Sequence, residues 1–341
     1  MNPSPFLALF RPNVAENHLA AARQRVARAQ RVLLLTHVNP DGDAIGSLLG
    51  LGLALRAAGK QVTFACSDVA PDNFRFLQGF AEISQEPRGE YDLIVALDAA
   101  DLGRLGKLGK QLPRLPDVMF DHHATNPSFA TINLLDVQAA STAELITELL
   151  EPLGLPLTRV AAEALLVGVI TDTMGFRTSS TTAKTLALVQ VLMQAGASLP
   201  ELYDLAFFKR SYYTVRLWGQ GLSRIKLEER LVWTSLTLAD KAAAQYPGSG
   251  DGDLINILSA VREAEVAVIF TERPENKVKV SWRAVPGVDV AKLAALFGGG
   301  GHVAAAGAEV TGTLAEVETA VLAATRAVLK NDRNKNGAKR P

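Results

Sequence analysis

Short apolar runs alternate with helix-like stretches over the first 195 residues. The run at 31–36 is apolar at its centre, as expected of a strand buried on both faces of a sheet. Further short runs lie at 61–66, 91–97 and 117–120. Helical patterns with capping residues or glycine stops lie at 14–30, 44–58, 141–150, 158–170 and 181–195. This alternation predicts a parallel sheet in an α/β domain.

The pattern changes near residue 196, where a connector begins. Strands are predicted at 225–229, 231–238, 265–271 and 277–284, and helices at 253–263, 289–296 and 314–329. The prediction is therefore a smaller α+β domain that follows the parallel-sheet domain. The expected boundaries are 1–195 for the first domain, 196–215 for the linker, 216–330 for the second domain and 331–341 for a basic, disordered tail.

The length, composition and charge of the chain exclude some classes of protein. The chain of 341 residues is long enough for two domains, and 48% hydrophobic with 21% charged residues is typical of globular proteins. Its 35 basic and 35 acidic residues balance, so no overall positive field attracts long DNA or a membrane surface. Binding of nucleic acid by a local site stays open.

Cysteine usage and hydropathy indicate the compartment. The single Cys66 excludes an internal disulfide and a thiolate zinc cluster, and it suits a reducing cytoplasm. No apolar run approaches about 18 residues, so no membrane span is predicted. The apolar stretch 6–10 is too short for a signal peptide. We expect a soluble, cytoplasmic protein without a membrane partner.

The histidines point to the chemistry, since four of the five lie in polar or glycine-rich motifs. His37, Asp41 and Asp43 share a Pro/Gly-shaped loop directly after the first predicted strand. Imidazole and carboxylates at this spacing suit hard or borderline divalent cations. The alternative is a tight turn in which Asp43 merely caps the following helix.

Three other motifs follow strands or end a helix. Asp98 follows the strand at 91–97, Asp121-His122-His123 follows the strand at 117–120, and Asp172 ends an apolar helix. A single Asp in such a place is usually a cap. Ligands of open α/β sheets, however, bind beyond the carboxyl ends of the strands, where the motifs at 37–43, 98 and 121–123 would meet.

These motifs resemble those of the DHH phosphoesterase superfamily. The resemblance covers about 30–330. In the first domain it rests on His37-x-Asn39-Pro40-Asp41-Gly42-Asp43, Asp98, Asp121-His122-His123 and Thr171-Asp172-Thr173. In the second domain the run Gly298–His302 is similar to the hallmark of the DHH-associated C-terminal domain. The length resembles the branch with nanoRNases (oligoribonuclease and pAp phosphatase) and stand-alone cyclic-di-AMP phosphodiesterases. Two departures are Met174, where the family often has Gly, and Ala140, where a second Ser is common.

The resemblance implies a site with two divalent ions, usually manganese. The first ion would be held by His37, Asp41 and Asp98, and the second by Asp43, Asp98, His122 and Asp172, with Asp98 bridging. Two ions balance the charge of the four carboxylates, and together they can activate a water molecule for attack on phosphorus. His123 is expected to contact the scissile phosphate and protonate the leaving oxygen, or else to make only a supporting hydrogen bond. Asp121 is expected to orient His122.

The second domain is expected to bind the substrate. Glycines permit close approach of a phosphate or base to backbone N–H groups, and no Lys-Ser/Thr follows them as in a P-loop. A flexible linker is the alternative. The candidate substrate-binding residues are Gly299, Gly300, Gly301, His302, Arg262 and Arg283, together with Arg104 of the first domain. Arg283 alternates within a strand pattern, so a solvated position is its alternative.

The function predicted from this resemblance is manganese-dependent hydrolysis of very short oligonucleotides to mononucleotides, with removal of the 3′-phosphate of pAp as a second activity. The partners would be short single-stranded RNA or DNA and nucleotides, and a homodimer is left open. The main alternative is a cyclic-di-AMP or pApA phosphodiesterase. The glycine-rich domain disfavours inorganic pyrophosphatase, and the balanced charge disfavours an exonuclease for long strands. A nucleotide-binding protein without turnover is the alternative from another class.

Overall fold

The structure is a computed structural model that describes residues 13–336. The chain forms two compact units, Met1–Lys209 and Arg210–Pro341, and the break falls within the predicted linker. The apolar stretch 6–10 and the last five positions of the predicted tail lie outside the described residues. Among those that are described, no helix combines the length and the apolar character that crossing a membrane requires.

The first unit is built on a five-stranded parallel sheet. Its strands are β1 (Arg31–Thr36), β2 (Gln61–Cys66), β3 (Leu93–Leu97), β4 (Val118–Asp121) and β5 (Ile132–Leu135), in the order β2-β1-β3-β4-β5. The parallel α/β sheet predicted from the apolar runs is confirmed. The edge strand β5 is not anticipated, because it has only four residues and just Ile132 and Leu134 are buried.

Helices cover the sheet, and three of them start at hydroxyl caps. They are α1 (Glu16–Arg28), α2 (Gly42–Ala57), α3 (Gly106–Gln111), α4 (Thr142–Leu149), α5 (Arg159–Asp172), α6 (Ala183–Gln194) and α7 (Leu199–Tyr203), followed by a π-helical turn at Asp204–Phe208. Ser141, Thr158 and Thr182 cap α4, α5 and α6 through their hydroxyls. The main core lies between the sheet and α2, α4 and α5.

Close packing of α2 against α5 brings two of the sequence motifs together. A Cβ atom at Gly46 would lie 2.6 Å from the carbonyl oxygen of Ala164 and 2.7 Å from the amide nitrogen of Gly168. Only glycine allows backbone contact this close. The first turn of α2, with Asp43, consequently lies beside the last turns of α5, which ends at Asp172.

Gly46→Ala is expected to destabilise the first unit by about 1–3 kcal/mol, because the backbone atoms that the new methyl group meets cannot move aside as a side chain would. Gly219→Ala is the matched control, since Gly219 also lies within a helix and a Cβ there would meet nothing within 4 Å. In that variant the free energy of unfolding should stay unchanged or increase by up to about 1 kcal/mol. Urea unfolding measures both changes, and equal effects would contradict the packing argument.

The second unit is a mixed six-stranded sheet with helices. The strands are β6 (Lys226–Glu228), β7 (Leu231–Leu236), β8 (Val266–Arg273), β9 (Lys277–Ala284), β10 (Gly300–His302) and β11 (Ala305–Thr311), in the order β10-β11-β9-β8-β7-β6. Only β7 and β8 are parallel neighbours. The helices are α8 (Tyr212–Leu222), α9 (Leu238–Ala244), α10 (Leu254–Leu258), α11 (Val290–Leu296) and α12 (Leu314–Asn336). The predicted α+β class is confirmed.

Two elements of the second unit end earlier than predicted, and one continues further. The strand predicted to 238 ends at Leu236, because Thr237 caps α9 in a capping box. The helix predicted at 253–263 is only Leu254–Leu258, and α12 continues past 330 to Asn336.

Only part of the glycine run is a loop, because Gly300 and Gly301 belong to the edge strand β10. Gly300 pairs with Gly307 and Gly301 with Ala306. The N–H groups of Gly298 and Gly299 donate to carbonyl oxygens of α11. These two N–H groups therefore bond within the end of α11 and do not offer the contact with a phosphate or base that the sequence predicts for glycine N–H groups.

Candidate active site

Polar side chains gather at the carboxyl edge of the parallel sheet. His37 follows β1, Asp98 follows β3, and Asp121 is the last residue of β4, directly before His122 and His123. These three strands are neighbours in the sheet. The structure therefore brings together the motifs that the sequence places at strand ends. Asp98 has φ +54°, a left-handed conformation that is uncommon for a residue other than glycine and is concentrated at functional sites.

The loop before α2 presents two carboxylates with different roles. Asp41 caps the helix, because its Oδ1 accepts the N–H groups of Asp43 and Ala44. The alternative that Asp43 provides this cap is wrong. Asp43 is buried, and it instead accepts hydrogen bonds from two N–H groups at the start of α4.

Asp98 lies between two histidines. Its Oδ2 is 3.5 Å from Nε2 of His37, and its Oδ1 is 3.9 Å from Nε2 of His122. His37 Nε2 also lies 3.8 Å from Oδ1 of Asp41, and His122 Nε2 lies 3.5 Å from Oδ2 of Asp172. Oδ1 of Asp98 also lies 3.8 Å from Nδ1 of His123. Oδ2 thus faces His37 and Oδ1 faces the His122–His123 pair, so the two oxygens face different histidines, as expected of a carboxylate placed between two ions.

The donor atoms fit a pair of divalent cations. Within each of the groups His37–Asp41–Asp98 and Asp43–His122–Asp172, one donor atom per residue lies within 4.8 Å of the others. Imidazole and carboxylate donors without a thiolate suit manganese, magnesium or iron.

Backbone carbonyls orient both of these histidines. Nδ1 of His37 lies 2.8 Å from the carbonyl oxygen of Val38, and Nδ1 of His122 lies 3.2 Å from that of Ala139. A carbonyl only accepts, so Nδ1 carries the hydrogen in both rings. Nε2 is then the nitrogen that points toward the carboxylates, where it can bind an ion once any proton on it has been displaced.

His123 is oriented by Asp121. Its Nδ1 lies 2.8 Å from Oδ1 of Asp121, which is fully buried and also accepts from the side-chain amide of Asn126. The prediction that Asp121 orients His122 is wrong, because alternate residues of an extended chain point to the same side. Asn126 is missed by sequence reasoning, although an Asn three residues after the histidine pair is a usable signal.

Burial and mutual repulsion shift the pKa values of the carboxylates in the site. Burial, reinforced by the charges of Asp98 and Asp172, raises the pKa of Asp43 well above its usual range. Burial and the charges of Asp98 and Asp41 raise the pKa of Asp172 to about 8. Burial alone would raise the pKa of Asp98, but the neighbouring histidines hold it below its usual range. Divalent cations would relieve this crowding of negative charge.

Neighbouring carboxylates raise the pKa values of His37 and His123. Burial lowers the pKa of His37, but hydrogen bonds to Asp41 and Asp98 outweigh it and raise the value to about 10. Burial also lowers the pKa of His123, and the hydrogen bond to Asp121 with nearby carboxylate charge raises it to about 9.

Affinity for Mn²⁺ is expected to increase from about pH 6 to about pH 8. In the ion-free protein the pKa of His37 is about 10 and that of Asp172 about 8, so both hold a proton at neutral pH that a bound ion must displace. Each displaced proton contributes about tenfold in affinity per pH unit. Calorimetry in buffers with different ionisation heats counts the released protons. An affinity that does not change with pH would contradict these assignments.

Met174 marks one departure from the family pattern. It has φ +49° in the turn after Asp172, and it is exposed. Glycine adopts this left-handed conformation at little cost, which explains why it is common at this position.

The predicted substrate-binding arginines lie in different environments. The guanidinium of Arg104 is exposed, with Nη2 3.2 Å from Nδ1 of His37, so this residue is beside the site. Arg283 is on β9, where it pairs with Ala267 of β8 and Ala305 of β11. Its Nη1 donates to the carbonyl oxygen of Trp282, and burial lowers the pKa of its guanidinium. Arg262 is exposed in the turn after α10. For His302, the structure describes the backbone in β10 but not the side chain.

Comparison with known proteins identifies the family of both units. Residues 31–169 match the DHH family, N-terminal domain, and residues 251–331 match the DHHA1 domain. The chain is similar to the bifunctional oligoribonuclease and PAP phosphatase NrnA of Thermus thermophilus, with 36% identity over 82% of this chain and 84% of that protein.

Two further similarities are more distant. A crystal structure of an exopolyphosphatase-related protein from Bacteroides fragilis superposes with a TM-score of 0.86, with 27% identity over 94% of this chain and 98% of that chain. The cyclic-di-AMP phosphodiesterase GdpP of Geobacillus thermodenitrificans is 26% identical over 87% of this chain but only 47% of that protein. Because the ordered motifs, the two matched domains and a relative of 36% identity coincide, this chain is a member of the DHH family of phosphoesterases, with a DHHA1 domain in its second unit.

Proposed function

We propose that the protein hydrolyses very short oligonucleotides to mononucleotides and also removes the 3′-phosphate from pAp. The observation that carries this proposal is the position of Asp98, whose two oxygens face two separate groups of ligands at the sheet edge. The similarity to an oligoribonuclease and PAP phosphatase over most of both chains supports the substrate class.

The proposed site holds two divalent ions, with manganese as the preferred metal. His37, Asp41 and Asp98 form the first ligand set, and Asp43, Asp98, His122 and Asp172 form the second. When bound, such a pair lowers the pKa of water and neutralises charge on a phosphate. The ligands Asp98 and Asp43 are buried, and hydrogen bonds from the start of α4 hold both carboxylates in place.

His123 has a proposed role toward the substrate rather than toward metal. Its Nδ1 is held by Asp121, and its raised pKa of about 9 keeps the ring protonated at neutral pH. A protonated imidazole can stabilise charge on the scissile phosphate and donate a proton to the leaving oxygen.

Substrate contacts outside the metal centre are proposed for basic and glycine-rich segments. Arg104 lies beside His37, where a guanidinium can bind a phosphate oxygen. In the second unit we assign substrate binding to Arg262, Arg283, the glycines Gly299, Gly300 and Gly301, and His302. Gly299 would contribute no N–H donor, because its N–H group donates to the carbonyl oxygen of Ala294. Gly300, Gly301 and Arg283 belong to strands of one edge region, since β11 pairs with both β10 and β9.

A substrate panel tests the proposed function. RNA dinucleotides, pAp, pApA, cyclic-di-AMP and an RNA 20-mer are compared at equal concentration with Mn²⁺. We expect the highest kcat/KM for the dinucleotide and measurable release of phosphate from pAp. Preference for cyclic-di-AMP would replace the proposal by the alternative phosphodiesterase, and equal cleavage of the 20-mer would indicate a general exonuclease.

Metal preference is tested separately. The metal-stripped enzyme is assayed with Mn²⁺, Mg²⁺, Fe²⁺ and Zn²⁺ on the dinucleotide. Highest activity with Mn²⁺, together with two ions bound per chain, is the expected result. One ion per chain at saturation would contradict the two-ion site.

A further inference from the structure

The start of α4 contacts two of the proposed metal ligands at once. Ser141 caps the helix, and Thr142, the first helical residue, is fully buried. The hydroxyl of Thr142 donates to Oδ1 of Asp98 over 2.8 Å, and its N–H donates to Oδ2 of Asp43 over 2.7 Å. The N–H of Ala143 donates to the other oxygen of Asp43 over 2.9 Å.

This use of a threonine hydroxyl differs from the ordinary one in helices. A Thr inside a helix can donate to the carbonyl four residues earlier, as Thr147 of the same helix does to Ala143 over 2.7 Å. Thr142 is the first residue of α4, so no helical carbonyl precedes it, and its hydroxyl is directed toward a buried carboxylate. A buried hydroxyl must find a partner, and here the partner is Asp98.

The two contacted carboxylates belong to the same ligand set. Asp98 Oδ1, which accepts from Thr142, is the oxygen that faces His122, whereas Oδ2 faces His37. A hydrogen bond to one oxygen limits rotation of the carboxylate. The N–H of the same threonine holds Asp43, which lies beside His122 and Asp172 in the second set.

We infer that Thr142 is a positioning residue that orders Asp98 and Asp43 for the second ion. This inference rests on the proposed two-ion function. Partners that orient metal ligands typically contribute about 10–100-fold to metal affinity. Loss of the hydroxyl should therefore lower the affinity for the second ion by that factor. The affinity for the first ion, which is held by His37, Asp41 and Asp98, should change much less.

The experiment measures Mn²⁺ binding to the full-length chain by calorimetry and the magnetic coupling of the ion pair by electron paramagnetic resonance. Thr142→Val removes the hydroxyl and keeps the shape, and Thr142→Ser keeps the hydroxyl. Thr147→Val is the matched control, because it removes a buried hydroxyl from the same helix without touching the site. We expect about 10–100-fold weaker second-ion binding and loss of coupling in Thr142→Val alone.

Other outcomes overturn the inference. Wild-type affinity for both ions in Thr142→Val would do so, as would equal weakening in Thr142→Ser or in Thr147→Val. Should Thr142→Val not fold, Thr142→Ala lacks the same hydroxyl in a smaller side chain and is judged by the same criteria. A wild-type chain that binds no second ion contradicts the proposed function itself, whereas two ions in wild type and unchanged binding in Thr142→Val contradict only the role of Thr142.

Discussion

Asp98→Asn is expected to lower kcat/KM for an RNA dinucleotide by at least about a thousandfold. The change keeps the size of the side chain but removes the charge and replaces one oxygen by an NH2 group, which cannot bind a cation. Both oxygens of Asp98 face histidines of different ligand sets, at 3.5 Å and 3.9 Å, so both proposed ions lose a ligand. Steady-state kinetics and manganese stoichiometry measure the two effects.

Asp72→Asn is the matched control for this substitution. Asp72 also lies in the first unit, but its side chain is 76% exposed in an ion pair with Arg75, so its loss should change activity and stability little. If Asp98→Asn retains two ions and activity within about tenfold of wild type, Asp98 does not bridge and the proposed centre is wrong. Loss of folding is excluded by comparing the thermal unfolding of both variants.

The sequence predicts the sheet well because a buried parallel strand has a simple signature. The apolar runs at β1, β3 and β4 and the partly alternating pattern at β2 are visible without any partner, and their shared carboxyl edge then follows from the parallel arrangement. The strands β5 and β11 are missed for a physical reason. Buried and half-buried residues alternate over the four positions of β5, and small or exposed residues dominate β11, so neither presents a long apolar run.

The candidate site is predictable only where residue type indicates chemistry. Histidines and aspartates at strand ends are conspicuous, whereas Thr142 looks like an ordinary helix start after its capping serine. Its contact with Asp98 joins residues 44 positions apart, and its contact with Asp43 joins residues 99 positions apart. Which side chain Asp121 supports depends on the alternation of side-chain direction after β4, and this detail is set by the backbone.

His123→Ala is expected to lower kcat by about 10²–10⁴-fold while leaving Mn²⁺ binding within a few fold of wild type. The first effect follows from the loss of a protonated imidazole, whose pKa is raised to about 9, near the substrate phosphate. The second is expected because the proposed ligand sets do not include His123, whose Nδ1 is hydrogen-bonded to Asp121 over 2.8 Å. Single-turnover kinetics and calorimetry separate the two.

Asp121→Asn tests the same assignment without removing the imidazole. Asp121 raises the pKa of His123 through its hydrogen bond and its charge, so the neutral amide should let that pKa fall. If catalysis needs protonated His123, activity in the variant is lost at a lower pH than in wild type as the pH increases. A pH profile of kcat identical to wild type would show that the charge of His123 is not used. Loss of an ion from His123→Ala would instead make His123 a metal ligand, and proton donation would then fall to another group.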